Sequence, residues 1–252
     1  MIITSVKNPL IVEIKKIRDN FDGRLFLDNP KVIEEAINAN LHLAQLVVDE
    51  DKLDALKKKF DFLNEVEEKI QLVSHNVIDA LSLTKTSQGI VAIVDIPDDK
   101  PFEVGDRFIV LEDLQDPGNI GTIIRSACGT NFRDIILIGG VSPYNQKVVR
   151  STMGGLFKLN IHQFSNIDDF SVFAKKNLLK IYCATMDGKN LYSIKTTEKR
   201  FGIAIGNEGN GISSKLKNLC YSSITIPMKN NLESLNAGVA CSIIIYYFDN
   251  MQ

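Results

Sequence analysis

Residues 108–132 read FIVLEDLQDPGNIGTIIRSACGTNF. The stretch opens on a continuous apolar run, FIVLEDL, as a strand buried on both faces would. A helical pattern follows from Gly118. Ile120, Ile123, Ile124 and Ala127 share one arc of a helical wheel and must face a core. Asp116-Pro117-Gly118 makes the turn between them, and Asn119 is placed to cap the helix. Asn119, Thr122, Arg125 and Ser126 fall on the other side. Strand, tight turn and helix form the repeating unit of an α/β sheet, where ligands bind beyond the carboxyl ends of the strands. Arg125 is therefore presented near a strand-end cleft. On spacing alone, a solvated arginine beside a well-formed turn accounts for the same residues.

The alternation continues downstream. IILIGG (135–140) reads as a strand, IDDFSVFAKKNL (167–178) as a helix and KIYCATM (180–186) as a strand. FGIAIG (201–206) and SITIPM (223–228) are further strands. SLNAGVACSIIIYYF (234–248) is a long last helix, with Ser234 as its N-cap and Leu235, Val239, Ile243 and Tyr247 on its buried stripe. Continuous apolar strands between helices predict a parallel sheet covered on both faces.

Upstream, IPDDKPFEVGDR (96–107) holds two prolines and a glycine between two apolar runs, and it predicts an interdomain linker. The expected division is residues 1–97, a linker at 98–107, and 108–252. In the first part PKVIEEAINAN (30–40), KLDALKKKFDFL (52–63) and SHNVIDALSL (74–83) read as helices, the last with Ser74 as cap. LAQLVVDE (43–50), IQLVS (70–74) and GIVAIVDI (89–96) read as strands. That pattern predicts a small α/β sandwich.

The chain has 252 residues and a formal net charge of −2, which by itself offers no support for a nucleic-acid partner. The two parts differ. Residues 1–100 carry 13 basic and 18 acidic side chains, a net of −5; residues 101–252 carry 16 and 13, a net of +3. An anionic partner should lean on the second part. No apolar run reaches the roughly 18 residues of a membrane span, and MIITSVKNPLIVEIKK lacks the long apolar stretch of a secretory signal. The four cysteines (Cys128, Cys183, Cys220, Cys241) are widely spaced and the three histidines (His42, His75, His162) are scattered. Neither a disulfide framework nor a metal site is expected, and a reducing cytoplasm is.

Three more polar segments could carry chemistry. Gly206-Asn207-Glu208-Gly209-Asn210-Gly211 follows an apolar strand and can offer backbone N–H groups to a ligand. It is neither a P-loop nor the Rossmann fingerprint, and a glycine turn without function fits equally. Glu208 at its tip could orient a basic residue such as Arg125. In Ile226-Pro227-Met228 through Ser234-Leu235-Asn236, Asn236 is a poor helix former in what reads as the first turn, which suits hydrogen bonding to a ligand. In YNQKVVRSTMGG (144–155), Lys147 and Arg150 lie three apart, as on a phosphate-gripping helix or on a solvated basic face. No G-x-S-x-G is present to support Ser–His–Asp hydrolysis.

In order and spacing these segments resemble the SpoU (TrmH-type) branch of the SPOUT RNA methyltransferases. QDPGNIGTIIRSA is similar to the family's first motif, FGIAIGNEGNGIS to the second and IPMKNNLESLNAGVACSIIIYY to the third. YNQKVVRSTMGGLF resembles the stretch between the first two. SVKNPLIVEIKKIRD and LSLTKTSQGIVAIV resemble the family's L30e-like RNA-binding domain. One departure stands before the second helix: the family usually shows a Val-Glu-Gly-type segment where this chain has Leu27-Asp28-Asn29-Pro30.

The resemblance implies an α/β fold in which a SPOUT catalytic domain with a deep trefoil knot follows the smaller L30e-like sandwich. It implies methyl transfer from S-adenosylmethionine to a ribose 2′-hydroxyl of structured RNA, ribosomal before transfer RNA, by a homodimer that needs no metal or membrane. Arg125, Asn119, Glu208 and Asn236 match the catalytic positions, with Glu208 holding Arg125 or the backbone around it. Gly206, Ile226, Met228, Ser234 and Leu235 match the cofactor pocket. RNA phosphates would meet Lys147, Arg150 and, in the first domain, Lys85, in a patch with Lys7, Lys15, Lys16 and Arg18. Two other readings remain at this stage, a non-catalytic RNA-binding protein of the same fold and a small-molecule enzyme using the Gly206 loop for a nucleotide.

Overall fold

The computed structural model describes residues 2–97, 103–195, 198–230 and 232–251. The chain forms two compact units, Met1–Lys100 and Pro101–Gln252. Of the expected linker, residues 98–102 lie outside the described residues.

In the first unit, α1 (Pro9–Asp19), β1 (Arg24–Leu27), α2 (Pro30–Asn38), β2 (Leu43–Asp49), α3 (Leu53–Lys57), α4 (Phe62–Glu65), β3 (Ile70–Val73), α5 (His75–Leu81) and β4 (Ile90–Asp95) follow in order. The sheet order is β1-β4-β2-β3. Only β2 and β3 pair in parallel; β4 runs antiparallel to both β1 and β2. Ile11, Ile14 and Ile17 of α1 pack on Phe26, Val47, Val91 and Ile93 of the sheet, joined by Val77 and Leu81 of α5.

Local chemistry explains the departures from expectation. The helix expected over 52–63 is two short ones, and the break after Lys57 lets both Phe62 and Leu63 turn inward. Ser74 precedes α5, yet its hydroxyl makes no capping bond. The Leu27-Asp28-Asn29-Pro30 segment has a local role. Asn29 caps α2 by accepting from the Lys31 N–H at 3.0 Å, with Pro30 at the first helical position. The buried Asp28 carboxylate accepts from the Leu83 N–H at 3.1 Å and so holds the start of the loop that carries Lys85.

The second unit contains β5 (Arg107–Glu112), α6 (Pro117–Ala127), β6 (Asp134–Ile138), α7 (Gln146–Thr152), β7 (Asn160–Phe164), α8 (Ile167–Lys176), β8 (Ile181–Asn190), β9 (Phe201–Ile205), α9 (Ser214–Leu219), β10 (Ser222–Thr225) and α10 (Ala237–Asp249). Six strands form one sheet in the order β10-β8-β9-β5-β6-β7, and every neighbouring pair is parallel. Phe170 of α8 and Leu216 of α9 pack on Phe108, Val110, Ile136, Cys183 and Ala204 on one face. Phe248 of α10 stacks on Tyr182 and meets Phe201 edge-on from the other.

The chain moves outward from β5 through β6 to β7, then crosses back to fill the far side. The order therefore reverses between β5 and β9. In such sheets the carboxyl ends of the strands at that reversal are the usual place for a ligand.

Two expectations about helices are corrected. Ile120, Ile123, Ile124 and Ala127 are fully buried on α6, but Asp116 caps it, accepting from the Gly118 N–H at 2.8 Å. Asn119 lies inside the helix and is only 3% exposed, not on the solvent side. The last helix starts at Ala237, with Asn236 rather than Ser234 as its cap. Its buried stripe is accordingly Gly238, Cys241, Ile244, Ile245 and Phe248, while Val239 is 44% exposed.

Candidate active site

Three loops meet at the carboxyl ends of β5, β9 and β10, and one hydrogen-bonded chain runs through them. Glu208, in the loop after β9, accepts from the backbone N–H of Gln115 and of Asp116, both at 3.1 Å, and from Asn119 Nδ2 at 2.8 Å. Asn119 Oδ1 accepts from Asn236 Nδ2 at 2.7 Å. Asn236 Oδ1 accepts from the Val239 N–H at 3.2 Å and caps α10. The direction of this chain is forced at both ends. An ionised carboxylate can only accept and a backbone N–H can only donate, so each amide between them has a single orientation. Burial pushes the Glu208 carboxyl up. The hydrogen bonds from Asn119 and from backbone N–H groups outweigh that effect and hold it below the ordinary glutamate value.

Of the two roles expected for Glu208, holding Arg125 or holding the backbone around it, the structure shows the backbone one: Glu208 holds the turn before α6 and the Asn119 side chain. Arg125 stands exposed in the last turn of α6 and, among the described residues, its guanidinium has no hydrogen-bond or ion-pair partner. Helix α7 packs against α6 where Gly121 faces Ser151; a Cβ on Gly121 would lie 1.8 Å from Ser151 Oγ. The packing of α7 on α6 carries an exposed Lys147 and a half-buried Arg150.

Gly206 begins the loop after β9. A Cβ there would sit 2.3 Å from the carbonyl of Gly211 and 2.4 Å from the Ile212 nitrogen, so only glycine lets the loop fold back so closely. Ile226, Met228 and Leu235 are half-buried in the loop after β10, and Ser234 is exposed. Lys85 is exposed in the loop between α5 and β4 of the first unit. Arg18 does not belong to a free basic patch: its Nη1 donates to the carbonyls of Ala80 and Leu81, both at 3.1 Å, and closes the end of α5.

The structure adds residues that the sequence reading did not single out. Asn207 Nδ2 donates to the Asp113 carbonyl at 2.9 Å, while its Oδ1 accepts from the N–H groups of Gly209 and Asn210. It pins the second loop to the first. Asp113 takes a left-handed conformation at φ 52°, and Gln115 Nε2 donates to its Oδ1 at 2.7 Å. Buried Glu112 accepts from Ser213 through both N–H (2.8 Å) and Oγ (2.6 Å), tying the end of β5 to the start of α9. A lone acid ending an apolar strand was the available signal for Glu112. An asparagine two residues before a glycine was the signal for Asn207.

A family model described as SpoU rRNA Methylase family matches residues 106–246. The chain belongs to that family. A second model, RNA 2′-O ribose methyltransferase substrate binding, matches residues 30–99. The 23S rRNA (guanosine(2553)-2′-O)-methyltransferase of Bacillus subtilis is 25% identical over 97% of this chain and 98% of its own length. A crystal structure of an RNA 2′-O ribose methyltransferase superposes with a TM-score of 0.83 at 25% identity, covering 100% of this chain and 99% of that one. The SpoU methyltransferase AviRb of Streptomyces viridochromogenes, solved in complex with AdoMet, shares the fold with a TM-score of 0.84 at 21% identity, over 97% and 98% of the two chains. In this SpoU chain the loops after β5, β9 and β10 are thus joined by one relay, Glu208–Asn119–Asn236.

Proposed function

We propose that this SpoU protein methylates a ribose 2′-hydroxyl of structured RNA, ribosomal in preference to transfer RNA, with S-adenosylmethionine as methyl donor. The observation that carries the reading is the relay, which joins three loops at the carboxyl ends of β5, β9 and β10 while leaving Arg125 unengaged, among the described residues, on the helix that the first loop enters. The 23S rRNA substrate of the Bacillus subtilis relative supports the RNA class.

The residues present suit that donor. Gly206 holds the second loop folded against Gly211 and Ile212, and half-exposed Ile226, Met228 and Leu235 offer apolar surface on the third. Together with Ser234 they would hold the cofactor. When bound, the sulfonium supplies an electrophilic methyl group, and in-line alignment with the attacking oxygen accounts for much of the rate. The chain's own groups do the rest. Asn119, Glu208 and Asn236 set the loop positions. The Arg125 guanidinium, a donor with no acceptor atoms, acts by binding the 2′-hydroxyl or its neighbouring phosphate and stabilising negative charge that develops on the oxygen. The hydroxyl proton leaves to solvent. Lys147 and Arg150 would grip RNA phosphates and Lys85 would serve in the first unit. That unit, residues 1–97 in this reading, binds RNA.

A trefoil knot through the second and third loops, a homodimer and a cytoplasmic location complete the proposal. Val239 and Tyr246, each 44% exposed on α10, supply apolar surface for a second copy. The test is a map of 2′-O-methyl sites in total RNA from cells with and without the gene. Loss of one ribosomal mark is expected. An unchanged map alongside retained RNA binding would favour a non-catalytic RNA-binding protein.

A further inference from the structure

A cavity of about 910 Å³ opens at the opposite end of the same sheet, where β5, β6 and β7 begin. Arg107, the first residue of β5, lines it. This arginine is only 8% exposed, and its guanidinium lies over the Phe201 ring with the carbon 3.9 Å from the centroid. Its Nη1 is buried and, among the described residues, has no hydrogen-bond partner. A buried guanidinium carries five donors and normally meets a carboxylate or phosphate, since burial without an acceptor is costly. Burial pushes its pKa down, with Asp106 and Asp249 opposing.

The charges around the cavity are unevenly matched. Arg133 and Lys199 also line it, both exposed and, among the described residues, neither with an ion-pair partner. The acids there are mostly engaged. Asp134 accepts from the Gly105 N–H at 3.2 Å, Asn160 Nδ2 at 3.2 Å and His162 Nε2 at 2.9 Å. Glu198 pairs with Lys180 at 2.9 Å. Outside the cavity lining, Asp249 accepts from the Asn131 N–H at 2.9 Å. Asp106, also in the lining, has no side-chain partner among the described residues, and it and Asp249 are the carboxylates whose charge is felt at Arg107.

We propose that this cavity is a second anion site, which takes the phosphate of a nucleotide on Arg107, Arg133 and Lys199. A planar guanidinium held flat on a ring presents its edge donors to a phosphate in bidentate fashion. The phosphate comes either from a free nucleotide or from a phosphodiester of RNA. The site lies at the amino ends of the strands and is separate from the three joined loops at their carboxyl ends.

The test is nuclear magnetic resonance titration of the full chain with inorganic phosphate, cytidine 5′-monophosphate and a short single-stranded oligoribonucleotide. A pyrimidine nucleotide avoids mimicry of the adenosine of the proposed methyl donor. Saturable shifts at the amides of Gly105, Asn131 and Asn160 are expected. Arg133→Ala, at an exposed position that leaves the fold alone, should weaken them about tenfold, as loss of one charge-assisted contact does. Arg107→Lys keeps the charge and loses the bidentate fork, and it should weaken them similarly. Tighter binding of the oligonucleotide than of the mononucleotide assigns the site to RNA; equal binding assigns it to a free nucleotide. Absence of saturation with every probe, or affinities unchanged in both variants, would overturn the proposal.

Discussion

The two ends of the parallel sheet treat their polar groups in opposite ways. At the carboxyl ends, Glu208, Asn119 and Asn236 satisfy one another in a directed chain, and the nearby cation, Arg125, is left in solvent. At the amino ends, Asp134 is fully engaged while the buried Nη1 of Arg107 has no acceptor among the described residues. A satisfied network positions loops and contributes stability. A buried, unsatisfied guanidinium lowers stability until an anion arrives. The same strand, β5, carries both regimes, from Arg107 at its start to Glu112 at its end.

Breaking the relay should produce the largest of three effects. Glu208→Ala leaves the buried Asn119 amide without its acceptor, worth about 1–3 kcal/mol, and releases the exposed N–H groups of Gln115 and Asp116 to water, so the turn before α6 loses its anchor. Both S-adenosylmethionine affinity and turnover should fall by about 100-fold, measured by calorimetry and by transfer of labelled methyl groups. A double-mutant cycle of Asn119→Ala with Asn236→Ala should show a coupling of about 1 kcal/mol or more in unfolding free energy; strict additivity would mean the relay is not a unit.

The amino end should respond in the opposite direction. Arg107→Met replaces an unpaired buried charge with an apolar side chain that can still pack on Phe201. It should raise the unfolding free energy by about 1–3 kcal/mol in phosphate-free buffer. A loss of stability would show that Arg107 has an acceptor in solution.

A smaller effect concerns pH. The Glu208 carboxyl lies below its ordinary value of 4.5 in the folded chain. Its contribution is therefore present above that value and is lost as pH falls through the lower folded one. The stability difference between wild type and Glu208→Gln should hold from pH 7 to about 5 and shrink below about pH 4. A constant gap across that range would contradict the assignment.

The sequence revealed most where local pattern and burial agreed. The apolar arc of α6 is buried at every position it predicts, because a strand-end turn leaves a helix one way to face the sheet. Short edge elements were not legible. β1 has four residues of which only Leu25-Phe26-Leu27 are apolar, and β7 sets Asn160, His162 and Gln163 among its five residues, so neither shows an apolar run long enough to read as a strand. The start of α10 was misplaced because Ser234 and Asn236 are both good caps. The choice between them rests on a tertiary bond from Asn236 to Asn119, 117 residues away. In the candidate site, polar residues could be picked by type, but their partners could not. Sequence offers Glu208 either Arg125 or the backbone around it, and only the folded loops show that it meets the N–H groups of Gln115 and Asp116. Glu112 was hidden inside a strand pattern that predicts burial without saying what a buried acid would meet.

The most direct test compares wild type with Arg125→Ala in methyl transfer from labelled S-adenosylmethionine to ribosomal RNA, with cofactor affinity measured on the same samples. Arg125 is exposed and tied to nothing among the described residues, so its removal should change stability by no more than about 0.5 kcal/mol. Cofactor affinity should stay within about twofold, while turnover falls at least about 100-fold, the loss expected when a donor to a developing oxyanion is removed. Near-normal turnover by Arg125→Ala would contradict the account.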